Sequence, residues 1–110
     1  MNMQIEERLN RLIVSIDGPL DVMSAPTLLT ELSQVLTFGA HNLILDMGRV
    51  TFIDNAGTSA LVSLLRKARG AGRVMALTQL TREVDLKLRL RSLDSVFEIY
   101  PDPETALLRL

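Results

Sequence analysis

Asp54 has the clearest chemical potential in this sequence, because it stands where an apolar run ends and a helical pattern begins. The run from residue 50 to 53 is typical of a strand, and it is followed by Asp54-Asn55-Ala56-Gly57-Thr58-Ser59. An aspartate in this position can cap a helix by accepting hydrogen bonds from its first free N–H groups. Those amides and the helix dipole favour negative charge, so this helix start is a candidate recognition surface.

Two hydroxyl groups lie within the first turn and a half of the same predicted helix. A phosphate on Thr58 or Ser59 would be favourably placed relative to the helix dipole. Ser59 is expected to point outward, and Thr58 to lie at the edge of the buried face. Both are candidate phosphoacceptors, whereas Ser24 is expected to cap an earlier helix.

Three carboxylates, those of Asp21, Asp46 and Asp54, follow the ends of predicted strands. Together they could bind a cation at one edge of a sheet. Each also has a local explanation, as a helix cap, a turn residue or a hydrogen-bonded loop acid. Since nothing in their spacing shows convergence, we expect no metal site.

Catalysis has little support in the residue inventory. The chain has a single histidine, His41, which we expect in a surface loop, and it has no cysteine. No nucleophile elbow, phosphate-binding loop or zinc pattern is present. The sequence therefore predicts a protein that is not an enzyme and needs no cofactor.

Length and charge indicate one small domain over residues 1–110. Twelve basic and 13 acidic residues are interspersed and give a net charge of −1, so no nucleic-acid partner is expected. The acidic, polar start of the chain resembles neither a signal peptide nor a membrane anchor, and no apolar run approaches membrane length. We expect a cytoplasmic protein without membrane insertion.

Strand and helix patterns alternate along the chain, which predicts an α/β fold with a central sheet. A hairpin is expected around Leu9-Asn10, between strands at residues 3–7 and 11–17. Further strands are expected at residues 43–47 and 73–77. Helices are expected from Ser24 to Gly39, from 55 to 69 and from 104 to 110.

The segment from Val84 to Arg91 is ambiguous. Its strict alternation of apolar and charged residues is typical of a strand with one exposed face. Its Leu, Lys and Arg content and the flanking Thr81 favour a helix instead. On a helix, Val84 and Leu88 lie on one side and Leu86, Leu90 and Leu93 on another, so one set would be left partly exposed.

Several motifs, in this order and spacing, resemble the STAS family, named for sulphate transporters and anti-sigma-factor antagonists. The family signature is an apolar strand followed by Asp-Ser-Ser-Gly or a near variant, which here reads Asp54-Asn55-Ala56-Gly57. The other matching pieces are Gly18-Pro19-Leu20-Asp21, Ala25-Pro26, the strand at 43–47, Gly70 to Gly72, and Leu93-Asp94-Ser95-Val96-Phe97. The resemblance implies a mixed central sheet with about four helices packed mainly on one side, and a helix at 84–91.

The resemblance also implies a regulatory protein–protein interaction module. In phosphorylated members the second Ser of the motif accepts phosphate from a kinase-type anti-sigma factor. That position is Ala56 here, which has no hydroxyl, so the usual phosphoacceptor is missing.

The outward face of the helix after Asp54 is the predicted partner-binding surface. Helical phase places Asn55, Ser59, Val62, Ser63 and Arg66 there, and an exposed valine among polar and basic residues suits a modest interface. Without the resemblance, an ordinary solvated helix face would be the simpler interpretation.

Two partner classes remain open at this stage. One is an anti-sigma factor or related kinase-type regulator, bound by an anti-sigma-factor antagonist in bacterial transcription control and signal transduction. The other is an ABC ATPase subunit, since Asp-x-Ala-Gly also resembles small STAS proteins that brace the ATPase of lipid-transport systems. The oligomeric state is not predicted.

Overall fold

The computed structural model describes all residues from 1 to 110 and contains five strands and four helices. In chain order the elements are β1 (Asn2–Arg8), β2 (Arg11–Asp17), α1 (Ala25–Phe38), β3 (Asn42–Arg49), α2 (Asn55–Gly70), β4 (Met75–Thr78), α3 (Arg82–Leu90), β5 (Glu98–Tyr100) and α4 (Pro103–Arg109).

The N-terminal hairpin turns through Leu9 and Asn10, with φ values of +50° and +64°. Two consecutive positive φ angles are the geometry of a type I′ turn, whose twist matches that of the flanking strands. β1 and β2 then pair without interruption from Arg8–Arg11 to Asn2–Asp17. The hairpin predicted from the sequence is therefore confirmed.

The five strands form one sheet in the order β1-β2-β3-β4-β5. β1 is antiparallel to β2, and the remaining neighbours are parallel and connected through α1, α2 and α3 in turn. The carboxyl ends of β2, β3 and β4 therefore lie along the same edge of the sheet, which also carries the start of α2.

Side-chain alternation along the strands separates two cores. Val14, Leu45 and Leu77 lie side by side and form the main core with buried residues of α1, α2 and α3. On the opposite face, Ile13 and Ile44 pack against Ala106 and Leu107 of α4. Three helices cover one face and one short helix covers part of the other, which confirms the predicted STAS-type α/β architecture.

The ambiguous segment is a helix, α3, capped by Thr81, whose side chain accepts a hydrogen bond from the N–H of Val84. Val84 and Leu88 are fully buried, and Leu86 and Leu90 are the exposed pair.

The short strand after α3 is β5, Glu98–Tyr100, which begins directly after the Leu93–Phe97 segment that resembles the family. The preceding turn passes through Ser92 with φ +55°, a conformation that glycine adopts more readily.

Ser24 does not cap α1 with its side chain, contrary to the prediction. Its hydroxyl instead donates to the carbonyl of Pro19 at 2.8 Å and accepts from the N–H of Asp21 at 3.0 Å. Ser24 thus closes the loop before α1.

None of the four helices combines the length and the apolar character needed to cross a bilayer.

Candidate functional site at the start of α2

Asp54 caps α2 as predicted. Its backbone is extended, with φ −114° and ψ −170°, and its Oδ1 accepts a hydrogen bond from the N–H of Gly57 at 2.9 Å. This satisfies one of the free amides in the first turn.

The second carboxylate oxygen has a partner that the sequence did not indicate. Oδ2 accepts a hydrogen bond at 3.1 Å from the N–H of Val22, which lies 32 residues earlier in the β2–α1 loop. The hydrogen bonds from Gly57 and Val22 favour the ionised carboxylate and outweigh its partial desolvation, so the pKa of Asp54 lies below its usual value. One ionised side chain therefore joins the start of α2 to the loop before α1.

The same loop explains Gly57. Leu20 forms a parallel bridge with Ile53: its N–H donates to the carbonyl of Phe52 at 2.8 Å, and its carbonyl accepts from the N–H of Asp54 at 3.3 Å. A Cβ on Gly57 would lie 2.2 Å from that Leu20 carbonyl oxygen. Only glycine allows the loop and the helix to approach this closely.

The hydroxyls near the motif differ sharply in accessibility. Thr58 is 3% exposed, and its Oγ1 donates to the backbone carbonyl of Asp54 at 3.0 Å. This corrects the expectation that Thr58 could accept phosphate, because its oxygen is buried and occupied. Ser59 is exposed, and Ala56 is half-buried beside it.

Four of the five predicted interface residues, Asn55, Ser59, Ser63 and Arg66, are exposed on α2. Val62 is only partly exposed and packs against the main core. The reason is its position on the helix, four residues after buried Thr58 and three before buried Leu65. The prediction of an exposed Val62 is therefore wrong.

Exposed apolar side chains border the α2 start instead. Met23 is 84% exposed, Val22 is 65% exposed, and both follow the Leu20 bridge. Phe52, directly before Ile53, is 41% exposed. Sequence reasoning missed these residues because the Val22–Asp54 hydrogen bond that places the loop here is not visible in local patterns.

α3 borders the same region. The Lys87 ammonium lies 5.5 Å from the centre of the Phe52 ring, within cation–π distance. The Arg91 guanidinium donates a hydrogen bond to Oδ1 of Asn55. Exposed Leu86 and Leu90 thus lie on α3, which contacts Phe52 through Lys87 and is followed directly by Arg91, the residue bonded to Asn55.

A sequence model of the STAS domain matches residues 2–106, nearly the whole chain. The chain belongs to the STAS family.

Solved structures of similar fold include several anti-sigma factor antagonists. A candidate antagonist from Thermotoga maritima is 20% identical, with a TM-score of 0.92 over 97% of this chain and 92% of that one. An antagonist from Mycobacterium paratuberculosis is 22% identical, with a TM-score of 0.88 over 98% and 92%. The antagonist SpoIIAA in its unphosphorylated form is 18% identical, with a TM-score of 0.83 over 98% and 95%, and it has also been solved in a phosphorylated form. At these identities the likeness shows the STAS fold.

The three carboxylates considered as a cation site each bond to local backbone in this STAS domain. Oδ1 of Asp21 accepts from the N–H groups of Met23 and Ser24, and Oδ1 of Asp46 accepts from that of Gly48. The structure brings no three His, Asp or Glu side chains together in a metal-binding arrangement. His41 lies with its Nε2 3.4 Å from Oε1 of Glu7.

A cavity of the STAS domain lies away from the motif. It measures about 270 Å³ and is lined by Asn2, Gln4, Ser15, Ile16, Asp17, Asp46 and Arg49. Gln4, Ser15 and Asp46 share the sheet face that carries α4, not the face of α2. This cavity, which is lined mostly by polar residues, therefore does not coincide with the candidate site.

Proposed function

We propose that this STAS domain is a regulatory binding module of the anti-sigma-factor antagonist kind, which acts in bacterial transcription control by binding an anti-sigma factor or related kinase-type regulator. Its action is binding rather than catalysis. The observation that carries the proposal is the α2 start: the STAS motif, held by Asp54 and Gly57 against the β2–α1 loop, lies beside the exposed side chains of Val22 and Met23.

The proposed docking surface combines Asn55 and Ser59 of α2 with Val22, Met23 and Phe52. These three apolar side chains offer area that becomes favourable when a partner covers it. The exposed cations Arg66, on α2, and Arg91, directly after α3, border the surface, so a partner with apolar side chains and nearby carboxylates would be complementary. Val62 is left out of this surface because it belongs to the core side of α2.

In this function, binding of the partner does not depend on phosphate at position 56. Ala56 offers no oxygen, and Thr58 is buried with its hydroxyl occupied. None of the solved structures named above comes from a lipid-transport ABC system, so they give no support to the ATPase-bracing alternative.

The test is direct binding to the kinase-type anti-sigma factors encoded in the same genome, measured by calorimetry with wild type and Met23→Glu. A glutamate at position 23 would have to be desolvated against the partner, so we expect at least about a tenfold loss of affinity. Leu108→Glu is the matched control, because Leu108 is 83% exposed on α4, where no contact is proposed. It should bind like wild type.

Both variants should melt close to the wild-type temperature, since neither side chain is buried. If wild type binds none of these kinases, the proposed function is contradicted. Equal losses in the two variants, or no loss in Met23→Glu, would place the docking surface elsewhere.

A further inference from the structure

β1 leaves one side of the sheet open. Six of its seven residues are exposed, only Met3 is half-buried, and the strand pairs with β2 alone. Natural edge strands are usually short or interrupted by proline or a bulge, because an open edge can pair with another chain. β1 contains no proline, and its register is continuous over all seven residues. Only its charged side chains restrict which strand it can accept.

The hairpin turn determines which backbone groups face this open edge. In a two-residue turn, the flanking residues Arg8 and Arg11 pair through backbone hydrogen bonds. Bonded and non-bonded positions alternate from there along an antiparallel ladder. The N–H and C=O groups of Glu7, Ile5 and Met3 therefore point away from β2. Ile5 is the central one of these, and its side chain is 47% exposed.

We propose that two copies of this chain associate through β1, antiparallel and centred on Ile5, to form one continuous sheet of ten strands. In this register Ile5 faces Ile5 of the second copy, and the outward backbone groups of Met3 face those of Glu7. On the other sheet face, Gln4 lies opposite Glu6, and Asn2 lies opposite Arg8. No like charges meet, and every residue of β1 has a partner.

The charges also exclude a neighbouring register. A centre at Glu6 would place the two Glu6 carboxylates directly opposite each other, which is unfavourable. A centre at Gln4 pairs only residues 2–6 and leaves Glu7 and Arg8 without partners. Of these three registers, only the one centred on Ile5 pairs every residue of β1 without placing like charges opposite each other.

Cysteine cross-linking tests the contact, because the chain has no cysteine of its own. Hydrogen-bonded residues opposite each other in antiparallel strands have Cα atoms about 5.5 Å apart, within the span of a disulfide. Ile5→Cys should form a disulfide-linked dimer on mild oxidation. Leu108→Cys, at a more exposed position on α4, should remain mostly monomeric at the same concentration. Equal yields from the two variants, or no dimer with Ile5→Cys, would overturn the proposal.

Charge variants at Gln4 test the register without oxidation. Gln4→Lys would create two attractive pairs with Glu6, and Gln4→Glu two repulsive ones, so the dimer dissociation constant should shift about five-fold in opposite directions. Sedimentation equilibrium up to about 500 µM covers the weak association expected for so small an interface. A wild-type chain that stays monomeric throughout, or Gln4 variants that shift together or not at all, would overturn the proposal.

Discussion

At the residue scale, the motif at the start of α2 fixes backbone geometry before it offers chemistry. Asp54 uses both carboxylate oxygens on backbone N–H groups, one in its own helix and one in the β2–α1 loop. Gly57 leaves the space that the Leu20 carbonyl occupies. The exposed side chains nearby can be recognised because these two residues hold the loop and the helix in a fixed relation.

Gly57→Ala should therefore be strongly destabilising. The added methyl group would meet backbone, which cannot rotate away, so we expect a loss of about 2 kcal/mol or more in the free energy of unfolding. Gly70→Ala is the matched control at the other end of α2, where an added Cβ meets nothing within 4 Å. It should leave stability unchanged or raise it by about 0.5 kcal/mol. Urea unfolding of both variants makes the comparison, and equal effects would refute the close-approach explanation.

Ala56 has no hydroxyl group, so position 56 should not accept phosphate. Incubation of wild type with the kinase-type anti-sigma factor proposed as its partner and ATP should add no phosphate at position 56, and Ala56→Ser should accept it there. Intact-mass measurement followed by peptide mapping would locate the label. Ser59→Ala, added to Ala56→Ser, is the control and should retain the label. Stoichiometric labelling of Ser59 in wild type would show that another hydroxyl has replaced the missing one.

The cap at Asp54 could be predicted because a helix start is a local pattern. Its bond to Val22 and the need for glycine at position 57 could not, since both depend on a loop more than 30 residues earlier. The partial burial of Val62 could not be predicted for a related reason. Helical periodicity predicts the direction of the Val62 side chain around the axis of α2. It does not predict how much of the helix circumference the core covers, which depends on the packing of neighbouring elements.

Among the secondary-structure elements, α3 is a helix although its apolar and charged residues alternate as in a strand. Local capping and tertiary packing determine the outcome. Thr81 caps the helix. Nε of Arg89 donates a hydrogen bond at 3.0 Å to Oδ2 of Asp85, one turn earlier. In the folded structure Val84 and Leu88, four residues apart, are buried, whereas Leu86 is exposed. The alternating sequence alone could not distinguish a strand from a helix. The same apolar residues form one stripe on a strand but lie on two different sides of a helix.

Alanine substitutions in α3 distinguish these two arrangements. Leu88→Ala should lower the free energy of unfolding by about 2–4 kcal/mol, because it opens a cavity in the core. Leu86→Ala should change it by less than about 0.5 kcal/mol, because the side chain is mostly exposed. Denaturant unfolding provides both values. Similar losses would indicate that the two leucines share one buried face, as they would on a strand.

At the scale of the whole molecule, the alternation of strand and helix patterns was enough to predict one α/β domain. The STAS resemblance added the mixed sheet and the placement of helices mainly on one side. The sequence did not indicate that α4 alone covers the opposite face. An apolar stripe such as Ala106-Leu107 shows that a helix is buried but not which side of the sheet it buries.

The order of the strands in the sheet, identical to their order along the chain, has a consequence for synthesis on the ribosome. Each new strand and helix can join a sheet edge that has already emerged, so the structure can grow from the N-terminus without waiting for distant segments. α4 is the exception, since it follows all five strands along the chain and packs on β2 and β3, which are made early. A nascent chain that lacks residues 103–109 leaves Ile13 and Ile44 without their α4 partners, so this apolar face of the sheet stays uncovered until α4 has emerged.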